Sequence, residues 1–288
     1  MLLALALLLA GCGERQTHQP HLRTCGKLRV IAMAPNTAEI LYALGLSNQV
    51  VGVSRFCAYP PDVKNKPFVG GLYDPNWEMI VSLQPDLVVG LATQQEIKAQ
   101  LKRLGINFIG VSHEHIDDIL QSILIIGKAC NAEARAQELF QGLEATTLRL
   151  TISPTDKKPR VLVCVGHDES LSRMYIAARG TFYDELIEKA GGINACEETS
   201  GRYPEISPEG LAAMNPDLVI DIFPPRGKKS STVCKKDRVQ APPASERWKP
   251  YRSIAITNDY AFVPGPRFVL LLEDFIKAIS NSSFRTSK

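Results

Sequence analysis

No C-x-x-C pair and no Cys/His cluster occurs in this chain of 288 residues, so neither a structural zinc site nor an iron–sulfur site is written into it. Also missing are a Gly-x-Ser-x-Gly elbow, a Walker loop and a Gly-x-Gly-x-x-Gly turn after a strand. Their absence removes the usual sequence warrants for hydrolase, nucleotide-hydrolysing and dinucleotide-dependent chemistry. An excess of charge of one sign is lacking: the net charge is +3, and no basic run exceeds Lys228-Lys229 and Lys235-Lys236. Nucleic-acid binding normally needs a concentrated basic face, and no such partner is expected. Histidine is sparse at five residues: His18, His21, His113, His115 and His167. The first two lie in a polar N-terminal stretch, and His113-x-His115 lacks a nearby third ligand. No catalytic residue and no metal site is expected.

Long apolar runs are lacking as well. The stretch Leu2–Ala10 falls short of the roughly 20 apolar residues that a spanning helix needs. It has the apolar core and small-residue exit of a secretory signal, although no Lys or Arg precedes Arg15. Its ending, Leu9-Ala10-Gly11-Cys12, resembles the bacterial lipobox, in which cleavage exposes a cysteine that carries lipid. Cys12 is therefore the expected lipidation site, with polar residues up to 26 as a tether. Of seven cysteines, six remain: Cys25, Cys57, Cys130, Cys164, Cys196 and Cys234. Six allow 15 connectivities, which stay open here. Cys164, inside VLVCV, is expected as a buried free thiol.

What the chain does have is a phrase used twice. Residues 76–89 read NWEMIVSLQPDLVV and residues 207–220 read SPEGLAAMNPDLVI, at a constant offset of 131 positions. Each has a capping residue (Asn76, Ser207), a glutamate two places on (Glu78, Glu209), a short apolar turn, Pro-Asp and a β-branched run. A weaker pair, TAEILYALG at 37–45 and YDELIEKAG at 183–191, sets Glu39 against Glu185. One long-period repeat points to two similar lobes, because a solenoid needs three or more short units. A cleft between two α/β lobes is the usual place for a small ligand.

The hydrophobic pattern alternates strand and helix throughout. Strands are predicted at 28–33, 50–53, 86–91, 107–111, 160–165, 174–177, 217–223, 254–256 and 261–263. Residues 132–151 read as one uninterrupted helix lying between the repeats, about 30 Å long at about 1.5 Å per residue. Residues 224–250, polar and rich in proline, read as a long surface excursion. Aromatics concentrate in loops, where flat apolar faces with few rotamers to lose make good ligand walls. Phe56, Tyr73 and Tyr203 are the candidates. His167 follows strand 160–165 at a loop expected to face the cleft, where it would touch a ligand or form an ordinary polar turn. Glu78 and Glu209 each fall in a first helical turn, where a carboxylate complements the helix dipole. Their duplication on two lobes suits a docking surface for a basic partner.

The motifs PNTAEILYALG (35–45), AYPP (58–61), VGGxxDPNxE (69–78), GTFYDELIxxAGG (180–192), YPEISPE (203–209) and GPR (265–267) give the chain its resemblance. It resembles the periplasmic substrate-binding proteins of ABC importers for vitamin B12 and ferric siderophores, over residues 27–279 with 224–250 poorly matched. The resemblance implies two Rossmann-like α/β lobes joined by a single long helix, the class III type. The lobes would span 27–131 and 154–288 with 132–153 as the linking helix, and close only slightly on a ligand. It implies a monomer, held by lipid in the periplasm or at the cell surface, that serves the permease and ATPase of an inner-membrane importer. It assigns Glu78 and Glu209 to permease arginines, Phe56 and Tyr203 to a corrinoid wall, and Asp259 to a polar ligand contact. The ligand is expected to be a corrinoid, with no resident cofactor. Arg55, Arg173, Arg179 and Arg202 leave a ferric siderophore or haem as the alternative. A nitrogenase-like metalloenzyme would need cluster cysteines that this pattern does not supply.

Overall fold

The computed structural model describes residues 27–153, 158–197, 201–223 and 247–280. Lobe one alternates strictly: β1 (Val30–Ala32), α1 (Pro35–Ala43), β2 (Val50–Val53), α2 (Trp77–Ser82), β3 (Leu87–Leu91), α3 (Gln95–Arg103), β4 (Asn107–Val111) and α4 (Ile116–Ala129). Its sheet is parallel throughout, in the order β2-β1-β3-β4. Lobe two holds β5 (Arg160–His167), β6 (Met174–Ile176), α6 (Phe182–Lys189), β7 (Ile193–Asn194), β8 (Glu205–Ile206), α7 (Pro208–Met214), β9 (Leu218–Ile222), β10 (Ser253–Ile256) and α8 (Phe268–Ser280). Its sheet runs β10-β9-β5-β6-β8, with β6 antiparallel to both neighbours and β7 paired to β5. The molecule is thus α/β with two lobes, and α5 (Glu133–Leu150) lies between them in sequence.

Every residue of β1, β3 and β9 is buried. Helices cover both faces of these sheets, so their strands read as continuous apolar runs. Alternation along each strand then divides the core. Val30 and Ala32, Leu87 and Val89, Val161 and Val163, Leu218 and Ile220 all point into one large cluster that both lobes share. The alternate residues Ile31, Met33 and Val88 join Ile80 and Leu101 in an outer core of lobe one. Leu162, Cys164 and Val219 join Leu211 and Trp248 in an outer core of lobe two. The helix α5 packs on α4 and on α8, the last helix of each lobe. A side chain at Gly127 of α4 would collide with Ala136, and this close approach ties the strut to lobe one.

The repeat in sequence is a repeat in structure. The β1–β3 register sets Val30 against Leu87, and the β5–β9 register sets Val161 against Leu218. Arg29 N–H donates to Asp86 Oδ2 and Arg160 N–H to Asp217 Oδ2, each at 2.8 Å. The same arginines reach the ends of α2 and α7: Arg29 Nη2 to Leu83 O at 2.8 Å, Arg160 Nη2 to Met214 O at 3.1 Å. Gln84 and Asn215 both turn through the left-handed region, at φ 45° and 43°.

One predicted strand, 261–263, is absent: Ala261 and Phe262 belong to a 3-10 turn over Asp259–Phe262, and Val263 caps it. Side chains hold it, with Tyr183 donating to Ala261 O at 2.8 Å and Tyr260 to Asp274 at 2.6 Å, so no ladder is needed. The short strands β7 and β8 carry too few residues to show a period, and they went unpredicted. Cys12, Cys25, Cys234 and most of the 224–250 excursion lie outside the described residues. Cys57, Cys130 and Cys164 are free thiols, all buried, as expected for Cys164. Burial pushes Cys57 and Cys164 up to about 12. Among the described residues no helix is long and apolar enough to cross a membrane, and no group of three acidic, histidine or cysteine side chains could hold a metal ion.

Candidate functional site

In open α/β sheets ligands bind beyond the carboxyl ends of the strands. In lobe one those ends lead into Ser54–Cys57, Ala92–Gln94 and Ser112–His115. In lobe two the facing segments are 201–204, the start of α6 and 257–267. Three side-chain contacts show that these two edges meet. Glu114 lies 2.6 Å from Arg202 Nη2, His115 Nδ1 lies 2.6 Å from Glu185 Oε1, and Arg267 Nη2 lies 2.6 Å from Glu39 Oε1.

Arg267 is the most heavily engaged residue of the seam. It also binds Glu39 through Nε at 3.0 Å and Asp259 through Nη1 at 2.9 Å. Its guanidinium covers the ring of Tyr59, a lobe-one residue, at 3.7 Å. Burial pushes the Glu39 carboxyl above its ordinary value, with the hydrogen bond and charge of Arg267 pulling it back. Burial likewise works against the Arg267 charge, but Glu39 and Asp259 together hold that group above its ordinary value. These directions oppose each other across one contact; the arginine's decides, because a guanidinium does not give up its proton in a protein.

Phe56 and Tyr203, expected as ligand walls, stand open at 49% and 45% exposure. Arg55 lies over the Phe56 ring at 5.3 Å, and Tyr203 meets the buried Tyr183 edge-on at 6.4 Å. Asp259 is half exposed and engaged by Arg267. Tyr73 is exposed and lines a groove of about 420 Å³ whose other walls include Pro75, Trp77, Gln100 and Arg103, all of lobe one. Glu78 and Glu209 are both exposed in the first turns of α2 and α7. Asn76 and Ser207 cap those turns, accepting from Met79 N at 3.0 Å and Gly210 N at 3.3 Å. The hydroxyl of Ser207 also holds the Glu209 carboxyl below its ordinary value.

His167 is a correction. Its side chain is 1% exposed, not at the cleft surface. Strand β5 runs two residues past its predicted end, and the register shift between Cys164 and Gly166 breaks its alternation, so the imidazole lies on the side of the outer core of lobe two. There it stacks on Phe223 at 5.5 Å and meets the edge of Trp248 at 5.8 Å. Nδ1–H donates to Asp168 O at 2.7 Å, and Nε2 lies 3.4 Å from the buried carboxylate of Asp221.

The candidate arginines are mostly spoken for. Arg55 pairs with Asp74 at 2.5 Å, Arg202 with Glu114 at 2.6 Å, and Arg173 approaches Asp168 at 3.9 Å. Arg179 is exposed and makes no ion pair among the described residues. Sequence reasoning missed the partners Glu39, Glu185, His115 and Arg267 as a set. The signal was present in the matched glutamates of the weaker repeat and in the GPR motif, but nothing local says what they face.

A family model described as periplasmic binding protein matches residues 30–241. The uncharacterized ABC transporter substrate-binding lipoprotein YvrC of Bacillus subtilis (strain 168) is 28% identical over 267 residues, covering 89% of this chain and 81% of that one. A vitamin B12-binding protein of Salmonella paratyphi A is 28% identical over 197 residues, covering 67% of this chain and 71% of that one. Among solved structures, the periplasmic heme-binding protein RhuT from Roseiflexus sp. RS-1 in apo form superposes with a TM-score of 0.69 at 27% identity, covering 89% of this chain and 99% of that one.

Proposed function

This chain belongs to the periplasmic binding protein family, and from that premise we propose that it captures a corrinoid of the vitamin B12 type between its lobes and delivers it to an ABC permease. It is a binding protein and not an enzyme. The observation that carries the corrinoid reading is the charge balance of the cleft. Arg55, Arg202 and Arg267 each have a carboxylate partner within 2.9 Å, while Phe56 and Tyr203 offer exposed rings beside them. A polyanionic iron chelate would have to displace those carboxylates before it could use the arginines, and an uncompensated charge in a cleft is costly. A large ligand of low net charge needs only apolar walls and a few polar contacts. The B12-binding relative supports the same reading. The heme-binding neighbour and Arg179, which has no ion pair among the described residues, favour the second one, a haem or ferric siderophore.

The discriminating experiment is the visible spectrum of protein purified from cells supplied with cobalamin, haem and iron siderophores, followed by titration with each. A cobalamin band with saturable binding supports the proposal. Binding of haem or siderophore alone transfers the same delivery role to that ligand. Cys12 is proposed as the acylated mature N-terminus, in keeping with a relative named as a lipoprotein. Several acyl chains at about 0.8 kcal/mol per buried methylene would anchor the protein stably. Mass spectrometry of the membrane fraction should find a chain beginning at a lipidated Cys12; an unmodified chain retaining residues 1–11 would refute the anchor.

A further inference from the structure

Two helices in equivalent places each send one glutamate across the seam. From α1 of lobe one, Glu39 takes Arg267, the residue just before α8, with both carboxylate oxygens. From α6 of lobe two, Glu185 takes His115, the residue just before α4, and the first amide of that helix: Ile116 N–H donates to Glu185 Oε2 at 2.8 Å. Within its own lobe α1 packs on α4, and α6 packs on α8. The two crossings are therefore counterparts: Glu39 corresponds to Glu185, and Arg267 to His115.

We infer that Glu39 and Glu185 are positioning residues, reciprocal struts that set the separation of the lobes and thereby how long a ligand stays in the cleft. Both oxygens of each carboxylate are engaged within the protein, so neither is offered to a ligand. A carboxylate held at both oxygens defines an angle as well as a distance. One such contact would still permit the lobes to swing about it, whereas two separated along the seam oppose that swing. The shared apolar core cannot do this alone, because apolar packing is non-directional. Each glutamate sits on a helix and each partner stands just before one, and the faces of all four helices are buried in that core, so the struts tie packed helices together across the seam. The effect on ligand release rests on the cleft reading given above, whereas the strut itself does not.

The test has an arm for each. Ile116 N–H lies in the first turn of α4, where no intrahelical carbonyl is available. Its exchange with solvent in the ligand-free protein therefore reports the crossing directly. In Glu185→Ala, whose wild-type side chain is 29% exposed and not deeply packed, exchange at Ile116 should quicken at least tenfold while Ile123 and Ile126 in α4 keep their protection. Glu185→Gln, which retains an acceptor oxygen, should restore part of it. Cyanocobalamin should dissociate about tenfold faster from Glu185→Ala and from Glu39→Gln, with little change in association, the scale of one charge-assisted hydrogen bond. Unchanged exchange at Ile116 in Glu185→Ala overturns the strut. Faster exchange with wild-type dissociation from both variants overturns its role in ligand retention. If the wild-type protein binds no cyanocobalamin, the ligand assignment fails, and the ligand that does bind is used for the dissociation arm.

Discussion

At the scale of single residues, burial and pairing separate side chains that look alike in sequence. Phe56 and Tyr203 present open rings, and truncating either to alanine should weaken cobalamin binding by about 1–3 kcal/mol, the range for a buried aromatic contact. Titration calorimetry decides this, and unchanged affinity in both variants would remove the aromatic wall. His167 behaves differently, because it is enclosed with Asp221, Trp248 and Arg247. Burial works against its charged form, but the hydrogen bond to Asp221 and the carbonyl of Asp168 outweigh burial and Arg247, so its pKa is raised. A histidine with a raised folded pKa adds stability that is fully present below its unfolded value of about 6.5 and fades as pH climbs through the folded value. Denaturant unfolding of the wild type and of His167→Gln should therefore differ more at pH 6 than at pH 8.5. A gap that widens with pH would show that the imidazole is held neutral.

At the scale of elements, the twice-used Pro-Asp turn explains why short helices can lead accurately into buried strands. α2 and α7 have only six and seven residues, too few to be stable in isolation. Each begins at a side-chain cap and ends on a left-handed residue. An arginine at the head of the neighbouring strand then donates to the closing carbonyls, and the aspartate accepts from that arginine's amide N–H. Asp86→Ala and Asp217→Ala should each cost about 0.5–1.5 kcal/mol, the net worth of one such bond. Because the two turns lie in separate lobes, the double variant should show nearly additive losses in urea unfolding. Strong coupling between the two would mean that the turns act through the shared core. Pattern alone located these turns, since a cap, an apolar turn, Pro-Asp and a β-branched run are all local signals. It could not find β7 and β8, and it misread the 3-10 turn, because Tyr183 of α6 and Asp274 of α8 hold that segment from distant helices.

At the scale of the whole molecule, the two lobes present one glutamate each on equivalent exposed turns, Glu78 on α2 and Glu209 on α7. A permease carrying paired arginines would read both lobes at once and align the cleft with its pore. Glu78→Arg with Glu209→Arg should leave ligand affinity within about 0.5 kcal/mol, as expected for exposed positions away from packing. Uptake and transporter-stimulated ATP hydrolysis should be lost, because each attractive pair becomes a like-charge contact. Normal uptake by the double variant in a transport assay would defeat the docking role. The core that spans both lobes and the struts at Glu39 and Glu185 favour a body that docks with little rearrangement.

The sequence by itself determined the alternation of strand and helix, the repeat at a spacing of 131, the long helix between the repeats and the exposed first-turn glutamates. All of these follow from periodicity, capping and turn chemistry, which act between near neighbours and so leave their mark on the local pattern. Only the tertiary structure decided what faces what. Glu39 and Arg267 are 228 positions apart, and no local signal pairs them. The neutralising of Arg202 by Glu114 likewise depends on how the lobes dock. His167 was misplaced for the same reason: the strand runs on past a register shift at Cys164–Gly166, and burial among Phe223, Trp248 and Asp221 is a property of the packed lobe. Where a side chain's role depends on a partner brought to it by packing, the chain alone names the residue and the fold names its use.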